Sequence, residues 1–141
     1  MEADAPRRVL VVEDSKLFQM SYRSTLTRAG YEVTLASTGG EALPKALACR
    51  PDVILLDLLL PCTPGLDVLR VLKQTNELRG IPVVVISSMP PSNQQRVQGE
   101  GAARYLHKDE LTEDTLLFAV TEALAISRKQ RDAERLALSN R

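Results

Sequence analysis

Features that would point to a particular partner or compartment are missing from this sequence of 141 residues. Eighteen basic and eighteen acidic residues cancel, so no overall field favours nucleic acid or an anionic membrane. No apolar stretch is long enough to span a bilayer, and residues 1–8 lack the apolar core of a signal peptide. The two cysteines, Cys49 and Cys62, do not form a C-x-x-C pair. We therefore expect reduced thiols in a cytoplasmic protein, with no membrane contact and no nucleic acid contact by this domain.

Repeats and low-complexity runs are also absent, and 44% hydrophobic with 26% charged residues is ordinary for a single globular domain. Short apolar runs alternate five times with segments of helical periodicity, which indicates an α/β domain with a parallel sheet. The runs predict strands at about residues 8–12, 32–36, 53–57, 82–87 and 104–107. The intervening pattern predicts helices at about residues 15–29, 39–49 and 94–101, and from residue 112 onward. It also predicts a third helix with Leu66, Leu69 and Leu72 facing inward and Gly80 beyond its end.

Three of these helices have unusual sequences. Pro44 stands inside the second helix and should kink or loosen it, because proline has no amide hydrogen. The fourth helix, residues 94–101, has few apolar anchors and contains glycines, so we expect it to be the most mobile element. If the fifth helix continues to residue 139, it is about 40 Å long and projects from a domain whose radius of gyration is about 14 Å. We therefore divide the chain into a domain over residues 1–126 and a charged helical extension or linker over residues 127–141.

Polar side chains follow four of the predicted strands at the point where each strand ends. They are Glu13 and Asp14 after the first strand, Asp57 after the third, Ser87 after the fourth and Lys108 after the fifth. Ligands of open parallel sheets bind at the carboxyl ends of the strands, and clustered carboxylates repel each other unless a cation such as Mg²⁺ compensates them. A cation, a lysine and a hydroxyl around one carboxylate suit phosphoryl transfer, with Asp57 as the nucleophile. Each residue alone also fits an ordinary turn, cap or surface role, so the inference depends on the whole set.

The same order of residues resembles the receiver domain of bacterial two-component response regulators over about residues 8–126. The resemblance implies a flavodoxin-like (βα)5 doubly wound parallel sheet with strand order 2-1-3-4-5. It also implies that Asp57 accepts a phosphoryl group from a histidine kinase in a reaction that depends on Mg²⁺ or Mn²⁺. The implied metal ligands are Glu13, Asp14, Asp57 and the backbone carbonyl of Leu59.

The resemblance further implies a switch. Ser87 and Lys108 would contact the phosphoryl group, and Tyr105 would be the aromatic residue that moves together with Ser87. Phosphorylation would then remodel the surface of the fourth helix, fifth strand and fifth helix by shifting the balance between two packings. The implied partners are a sensor histidine kinase or phosphotransfer protein, a downstream effector domain or protein, and a second copy of the chain bound through that surface or the C-terminal helix. Such a domain is not an enzyme, since it catalyses only its own phosphotransfer and dephosphorylation.

The sequence departs from the family pattern beside the site. Asp109 follows Lys108, where the family usually has a proline after a cis peptide bond. Because a cis bond before any other residue costs about 3 kcal/mol, we expect a trans bond and a rearranged loop. Ser88 stands where the family usually has alanine. Neither departure removes a chemical group that the reaction needs.

Leu59 and Met89 lead to a kinetic hypothesis. In the family, these two positions flank the path of the water that attacks the phosphoryl group. Both side chains are apolar here and cannot orient water, so we predict a long-lived phosphoryl group. The alternative is that both are loop residues without kinetic effect.

Other interpretations stay open on the sequence alone. A flavin-binding flavodoxin relative should have a phosphate-cradling loop after the first strand, where this chain has an acidic pair. A phosphatase of the haloacid dehalogenase type should show a D-x-D motif, whereas two leucines follow Asp57. A receiver-like protein-interaction module that acts without phosphorylation stays open because no proline follows Lys108. His107, the only histidine, fits a sheet-end surface residue better than a relay histidine or a metal ligand.

Overall fold

The computed structural model of the protein describes residues 6–139. The described part of the chain leaves out residues 1–5 of the predicted domain and residues 140–141 of the predicted extension. Most of the N-terminal segment that was compared with a signal peptide therefore lies outside it. The strands are β1 (Arg8–Val12), β2 (Glu32–Ala36), β3 (Val53–Asp57), β4 (Val83–Ser87) and β5 (Arg104–His107). They form one parallel sheet in the order β2-β1-β3-β4-β5. The predicted fold class and strand order are confirmed.

Helices cover both faces of this sheet. They are α1 (Lys16–Arg28), α2 (Gly39–Cys49), α3 (Gly65–Gln74), α4 (Gln94–Gly99) and α5 (Glu113–Ser139). Because successive side chains of a strand alternate between the faces, each face has its own apolar core. Leu10 and Ile54 pack with buried residues of α2, α3 and α4. Val11 and Leu55 pack with buried residues of α1 and α5.

The central strands explain the continuous apolar runs of the sequence. Every residue of β3 and β4 is buried, as expected for parallel strands covered on both faces. The edge strand β2 is mostly half-buried. Asp57 and Ser87 end the two central strands, and only 4% and 0% of their surfaces are exposed. A polar side chain in such a position requires a partner or a function.

The helices with unusual sequences keep a helical backbone. α2 continues through Pro44 without interruption, and this proline is exposed. Its first turn is capped by Thr38, whose hydroxyl accepts a hydrogen bond from the Glu41 amide at 3.3 Å. α4 has only six residues, and Val97 is its one buried side chain. Packing of α4 on the sheet therefore depends on a single anchor.

The burial of α5 ends well before the helix does. α5 has 27 residues and reaches Ser139, so the condition for a helix of about 40 Å is met. Ser127 is its last buried residue, and its hydroxyl donates a hydrogen bond to the Gly80 carbonyl at 3.3 Å. All side chains from residue 128 to residue 139 are exposed. None of the helices in residues 6–139 combines the length and the apolar character that a bilayer crossing requires.

Candidate functional site

The strand pairing brings three carboxylates to one edge of the sheet. Val12, the last residue of β1, is in register with Leu56 of β3. Glu13 and Asp14 follow the first of these strands and Asp57 ends the second, so all three lie at the carboxyl edge. One carboxylate oxygen from each of the three lies within 4.8 Å of the others.

Two of these carboxylates are buried and held by backbone amides. Glu13 is 1% exposed and Asp57 is 4% exposed, whereas Asp14 is exposed. Glu13 Oε2 accepts a hydrogen bond from the Ser15 amide at 3.1 Å. Asp57 Oδ1 accepts one from the Leu59 amide at 3.0 Å. These bonds leave Glu13 Oε1 and Asp57 Oδ2 free to meet a cationic group.

Lys108 supplies that group in this structure. Its Nζ atom lies 3.1 Å from Glu13 Oε1 and 3.2 Å from Asp57 Oδ2. The same atom lies 4.1 Å from the centroid of the Phe18 ring, a cation–π distance. Burial alone would lower the pKa of the Lys108 ammonium, but its ion pairs with Glu13 and Asp57 outweigh burial and raise that pKa. Lys108 is therefore held as a cation.

Glu13 shows that one ammonium does not neutralise the cluster. Burial raises the pKa of Glu13 to about 7, and the charge of Asp57 adds to the effect, against the opposing Ser15 amide and Lys108. The 3.1 Å contact between Lys108 Nζ and Glu13 Oε1 is an ion pair without hydrogen-bond geometry, so this buried oxygen has no hydrogen-bond partner among residues 6–139. The site therefore has a carboxylate oxygen held only by an ion pair, and it carries more negative than positive charge.

These two features fit a divalent cation. Carboxylate oxygens are the protein ligands that Mg²⁺ prefers, and a cation near Glu13 Oε1 would coordinate an oxygen that has no hydrogen bond among residues 6–139. Asp14 adds an exposed carboxylate, which leaves room for water among the ligands. The residues present thus suit the ion that the sequence pattern predicts.

The loop after β3 is shaped by a residue that sequence reasoning did not single out as functional. A Cβ atom on Gly65 would lie 2.4 Å from Leu58 Cα and 2.5 Å from the Asp57 carbonyl oxygen. The Gly65 amide donates a hydrogen bond to the Leu58 carbonyl at 2.9 Å. Only glycine permits this close approach. The loop from Leu58 to Gly65, which includes Leu59, is therefore folded tightly beside Asp57.

Two residues of α1 also support the site without having been predicted. Phe18 lies beneath the Lys108 ammonium. Gln19, which is 7% exposed, donates hydrogen bonds from its amide nitrogen to the Glu13 carbonyl and to Ser37 Oγ. The helical spacing of apolar residues in α1 indicated that Phe18 packs in the core. It indicated no role for Gln19.

The two predicted switch residues lie on neighbouring strands and share one backbone partner. Ser87 Oγ accepts a hydrogen bond from the Met89 amide at 3.0 Å. The half-buried Tyr105 donates a hydrogen bond from its hydroxyl to the Met89 carbonyl at 3.5 Å. Within residues 6–139, no hydrogen bond joins Ser87 to Asp57, whose carboxylate is held by Leu59 and Lys108.

Leu59 and Met89, the two residues of the kinetic hypothesis, line one cavity. Leu59 is 52% exposed and Met89 is half-buried. They line a common cavity of about 260 Å³ with the following residues of the β3–α3 loop, α3 and the region of α4: Leu58, Pro64, Leu66, Asn93, Arg96 and Val97. The fold therefore places these two apolar side chains on the same surface, here called the apolar wall.

The connection from β5 to α5 carries the departure from the family pattern. The bond between Lys108 and Asp109 is trans, as predicted, and residues 6–139 contain no cis peptide bond. Residues Lys108–Glu110 form a single 3-10 turn. Thr112 then caps α5, with its hydroxyl accepting a hydrogen bond from the Thr115 amide at 3.1 Å.

An open parallel sheet in this order, with carboxylates and a lysine at its carboxyl edge, defines an α/β domain of the flavodoxin-like class. Within that class, the match is to one family: residues 9–121 fit the family model of the response regulator receiver domain. The chain belongs to this family of signalling domains, in which phosphorylation and magnesium binding are typical. The flavodoxin and haloacid dehalogenase interpretations are thereby excluded.

Relatives and solved structures agree with this assignment. The chain is 36% identical over 104 residues to the polar-differentiation response regulator DivK of Brucella anthropi, across 73% of this chain and 85% of that protein. A CheY-like receiver domain from Methanospirillum hungatei superposes with a TM-score of 0.81 at 26% identity, covering 89% and 99% of the two chains. The chemotaxis protein CheY4 of Vibrio cholerae gives 0.78 at 31% identity, covering 84% and 99%.

Proposed function

We propose that this chain is a phosphoacceptor domain in which Asp57 takes a phosphoryl group from a sensor histidine kinase or a phosphotransfer protein. The observation that carries the proposal is the environment of the Asp57 carboxylate, which is 4% exposed yet bonded to Lys108 and the Leu59 amide. A carboxylate oxygen attacks phosphorus, an acyl phosphate bond forms, and the bond from phosphorus to the donor breaks. The catalytic work is positioning and neutralisation of charge.

The proposed roles of the other residues follow from what each one offers. Lys108 gives up its contact with Asp57 Oδ2 and pairs with an oxygen of the incoming phosphoryl group. Ser87 donates a hydrogen bond to another oxygen. The ligands of a Mg²⁺ or Mn²⁺ ion would be Glu13, Asp14, Asp57 and the backbone carbonyl of Leu59. Such an ion supplies positive charge to the carboxylates and the phosphoryl oxygens.

The proposed output is a change of the surface formed by α4, β5 and α5. When Ser87 Oγ turns toward the phosphoryl group, it gives up the Met89 amide, and Tyr105 is bonded to the carbonyl of the same residue. β5 is tied to α5 by an ion pair between Arg104 and Glu122 at 3.1 Å. Movement of Tyr105 on β5 thus reaches α5. This is a population shift biased by a new charge.

We also propose how the chain is divided. The receiver domain extends to residue 126, and the segment from residue 127 is a charged helical extension, consistent with burial that ends at Ser127. The proposed recipients of the signal are a downstream effector domain or protein, or a second copy bound through the α4–β5–α5 surface or the C-terminal helix. In this proposal, the domain catalyses only its own phosphotransfer and dephosphorylation.

The proposal predicts a gain of one phosphoryl group by the wild-type protein incubated with acetyl phosphate and Mg²⁺. The gain should disappear when EDTA removes the metal, because Lys108 alone does not balance the carboxylates. Intact-mass spectrometry measures the gain, and reductive trapping of the acyl phosphate followed by peptide mapping assigns it to Asp57. If a folded protein gains nothing with Mg²⁺, the chain is instead a protein-interaction module that works without phosphorylation.

The apolar wall predicts slow loss of that phosphoryl group. A polar side chain at position 59 can orient the attacking water, so Leu59→Asn should shorten the lifetime about tenfold, equivalent to about 1.4 kcal/mol in the barrier. Decay is followed by mass spectrometry after the phosphodonor is removed. Leu136→Asn, which changes an exposed leucine of α5 remote from the site, is the matched control. Equal lifetimes for the wild type and Leu59→Asn would mean that the wall has no kinetic effect.

A further inference from the structure

The turn that carries Lys108 is closed by a side chain from the end of β5. His107 is the last residue of β5, where it is in register with Ser87 of β4. Its Nδ1 atom accepts a hydrogen bond from the Asp109 amide at 3.1 Å. On the other side of the turn, the Leu111 amide donates a hydrogen bond to the Lys108 carbonyl at 3.2 Å. The histidine thus occupies the N-cap position of the 3-10 turn.

Histidine is not among the usual residues at this position. Serine, threonine, asparagine and aspartate are preferred there because their short side chains accept a hydrogen bond from the backbone one turn later. The His107 imidazole takes the same role here because its side chain is only 16% exposed and lies against the turn. Nδ1 is the acceptor of this hydrogen bond, which leaves Nε2 as the donor nitrogen of the ring.

The hydrogen bond of His107 depends on the residue at position 109. A proline after the lysine would restrain the backbone through its ring and would have no amide hydrogen. Asp109 has that hydrogen, and it is the atom that His107 binds. A side-chain hydrogen bond therefore restrains the turn where the family usually has a proline ring.

The position of the turn matters because Lys108 meets two buried partners at once. Its Nζ atom lies 3.1 Å from Glu13 Oε1, 3.2 Å from Asp57 Oδ2 and 4.1 Å from the Phe18 ring centroid. A catalytic group has to be held within about 0.5 Å of its productive position. A change in the backbone angles at residues 108 and 109 would move the whole lysine side chain away from these partners.

We propose that His107 is a positioning residue for Lys108, acting through the hydrogen bond from the Asp109 amide to Nδ1. The inference rests on the proposed phosphoacceptor function, because Lys108 matters most when a phosphoryl group arrives. Among residues 6–139, the polar contacts of the His107 side chain are with Asp109, so its proposed role is to position Lys108 and not to bind the phosphoryl group.

The first test separates the acceptor atom from the bulk of the ring by phosphorylation kinetics with acetyl phosphate at saturating Mg²⁺. His107→Phe keeps a ring and removes the acceptor, so the maximal rate should fall about tenfold, since displacement of a group by about 1 Å is costly. His107→Asn restores an acceptor at the cap and should recover the rate to within about twofold. Asp109→Ala keeps the backbone amide and should match the wild type. The proposal is overturned if His107→Asn is as slow as His107→Phe, or if His107→Phe is as fast as the wild type.

The second test does not depend on phosphorylation. The ε-methylene protons of Lys108 should be shifted upfield in the NMR spectrum because the ammonium lies over the Phe18 ring. The shift should be lost in His107→Phe and recovered in His107→Asn. If the shift is the same in all three proteins, His107 does not position the lysine. If the wild type takes up no phosphoryl group but the shift follows the acceptor, the phosphoacceptor function fails while the positioning role stands.

Discussion

An Asp57→Asn variant is expected to take up no phosphoryl group from acetyl phosphate under conditions that phosphorylate the wild type. The amide has nearly the shape of the carboxylate, so the fold and the hydrogen bond from the Leu59 amide should be kept. It has no anionic oxygen to attack phosphorus and cannot form the acyl phosphate. It also removes one of the clustered negative charges, so Mg²⁺ should bind about tenfold more weakly. Intact-mass spectrometry measures phosphorylation, and isothermal titration calorimetry measures metal binding.

Another aspartate next to β3 offers a matched control. Asp52 lies just before β3, at the opposite end from Asp57, and its Oδ2 atom accepts a hydrogen bond from the Arg8 amide at 2.8 Å. Asp52→Asn retains an oxygen acceptor and should be phosphorylated at the wild-type rate. Phosphorylation of a correctly folded Asp57→Asn protein at the wild-type level would show that the phosphoryl group is attached elsewhere, and the assignment of Asp57 would be wrong.

Removal of the lysine should separate phosphorylation from metal binding. Lys108→Ala is expected to slow phosphorylation by about a hundredfold, the typical cost of losing one stabilising donor at a developing charge. Mg²⁺ binding should become tighter, because the Lys108 ammonium now pairs with Glu13 and Asp57, two of the carboxylates that a cation would use. Kinetics with acetyl phosphate and calorimetry on the same protein measure the two effects.

The opposite signs make this prediction specific to the proposed role. Unfolding or general distortion would weaken both metal binding and phosphorylation. Lys108→Arg is the matched control, since it keeps the positive charge with a bulkier head group and should lose less of the rate than Lys108→Ala. If Lys108→Ala phosphorylates as fast as the wild type, Lys108 serves only to neutralise the buried carboxylates in the metal-free protein.

The elements of the fold were predictable because their signals are local. β3 and β4 are buried on both faces and appear as continuous apolar runs, and the edge strand β2 appears as an alternating one. The cap of α1 was also readable, since Ser15 accepts a hydrogen bond from the Phe18 amide. The end of α4 was harder to predict from the sequence. The pattern predicted a helix to residue 101, whereas the helix ends at Gly99. The prediction was wrong at this end because a short, weakly anchored segment has no strong stop signal.

The candidate site was predictable as a set of residues because strand ends in a parallel sheet meet at one edge. What could not be predicted were contacts between residues far apart in sequence that depend on side-chain placement. The ion pairs from Lys108 to Glu13 and Asp57 are of this kind, and so is the ring of Phe18 beneath the ammonium. Gly65 is another case, because a side chain at this position would clash with the backbone of Leu58 on the other side of the loop.

By itself, the sequence determined the alternation of strands and helices and the identity of the polar residues at the strand ends, since both follow from local periodicity and from the rule that parallel strands end together. The tertiary structure alone decided how the charges balance, because Glu13 and Asp57 are buried beside one ammonium and Glu13 Oε1 has no hydrogen bond in the described part of the chain. It also decided the surroundings of His107, which as a lone histidine in the sequence fitted a surface position. Only the path of the backbone after β5 places its Nδ1 atom against the Asp109 amide.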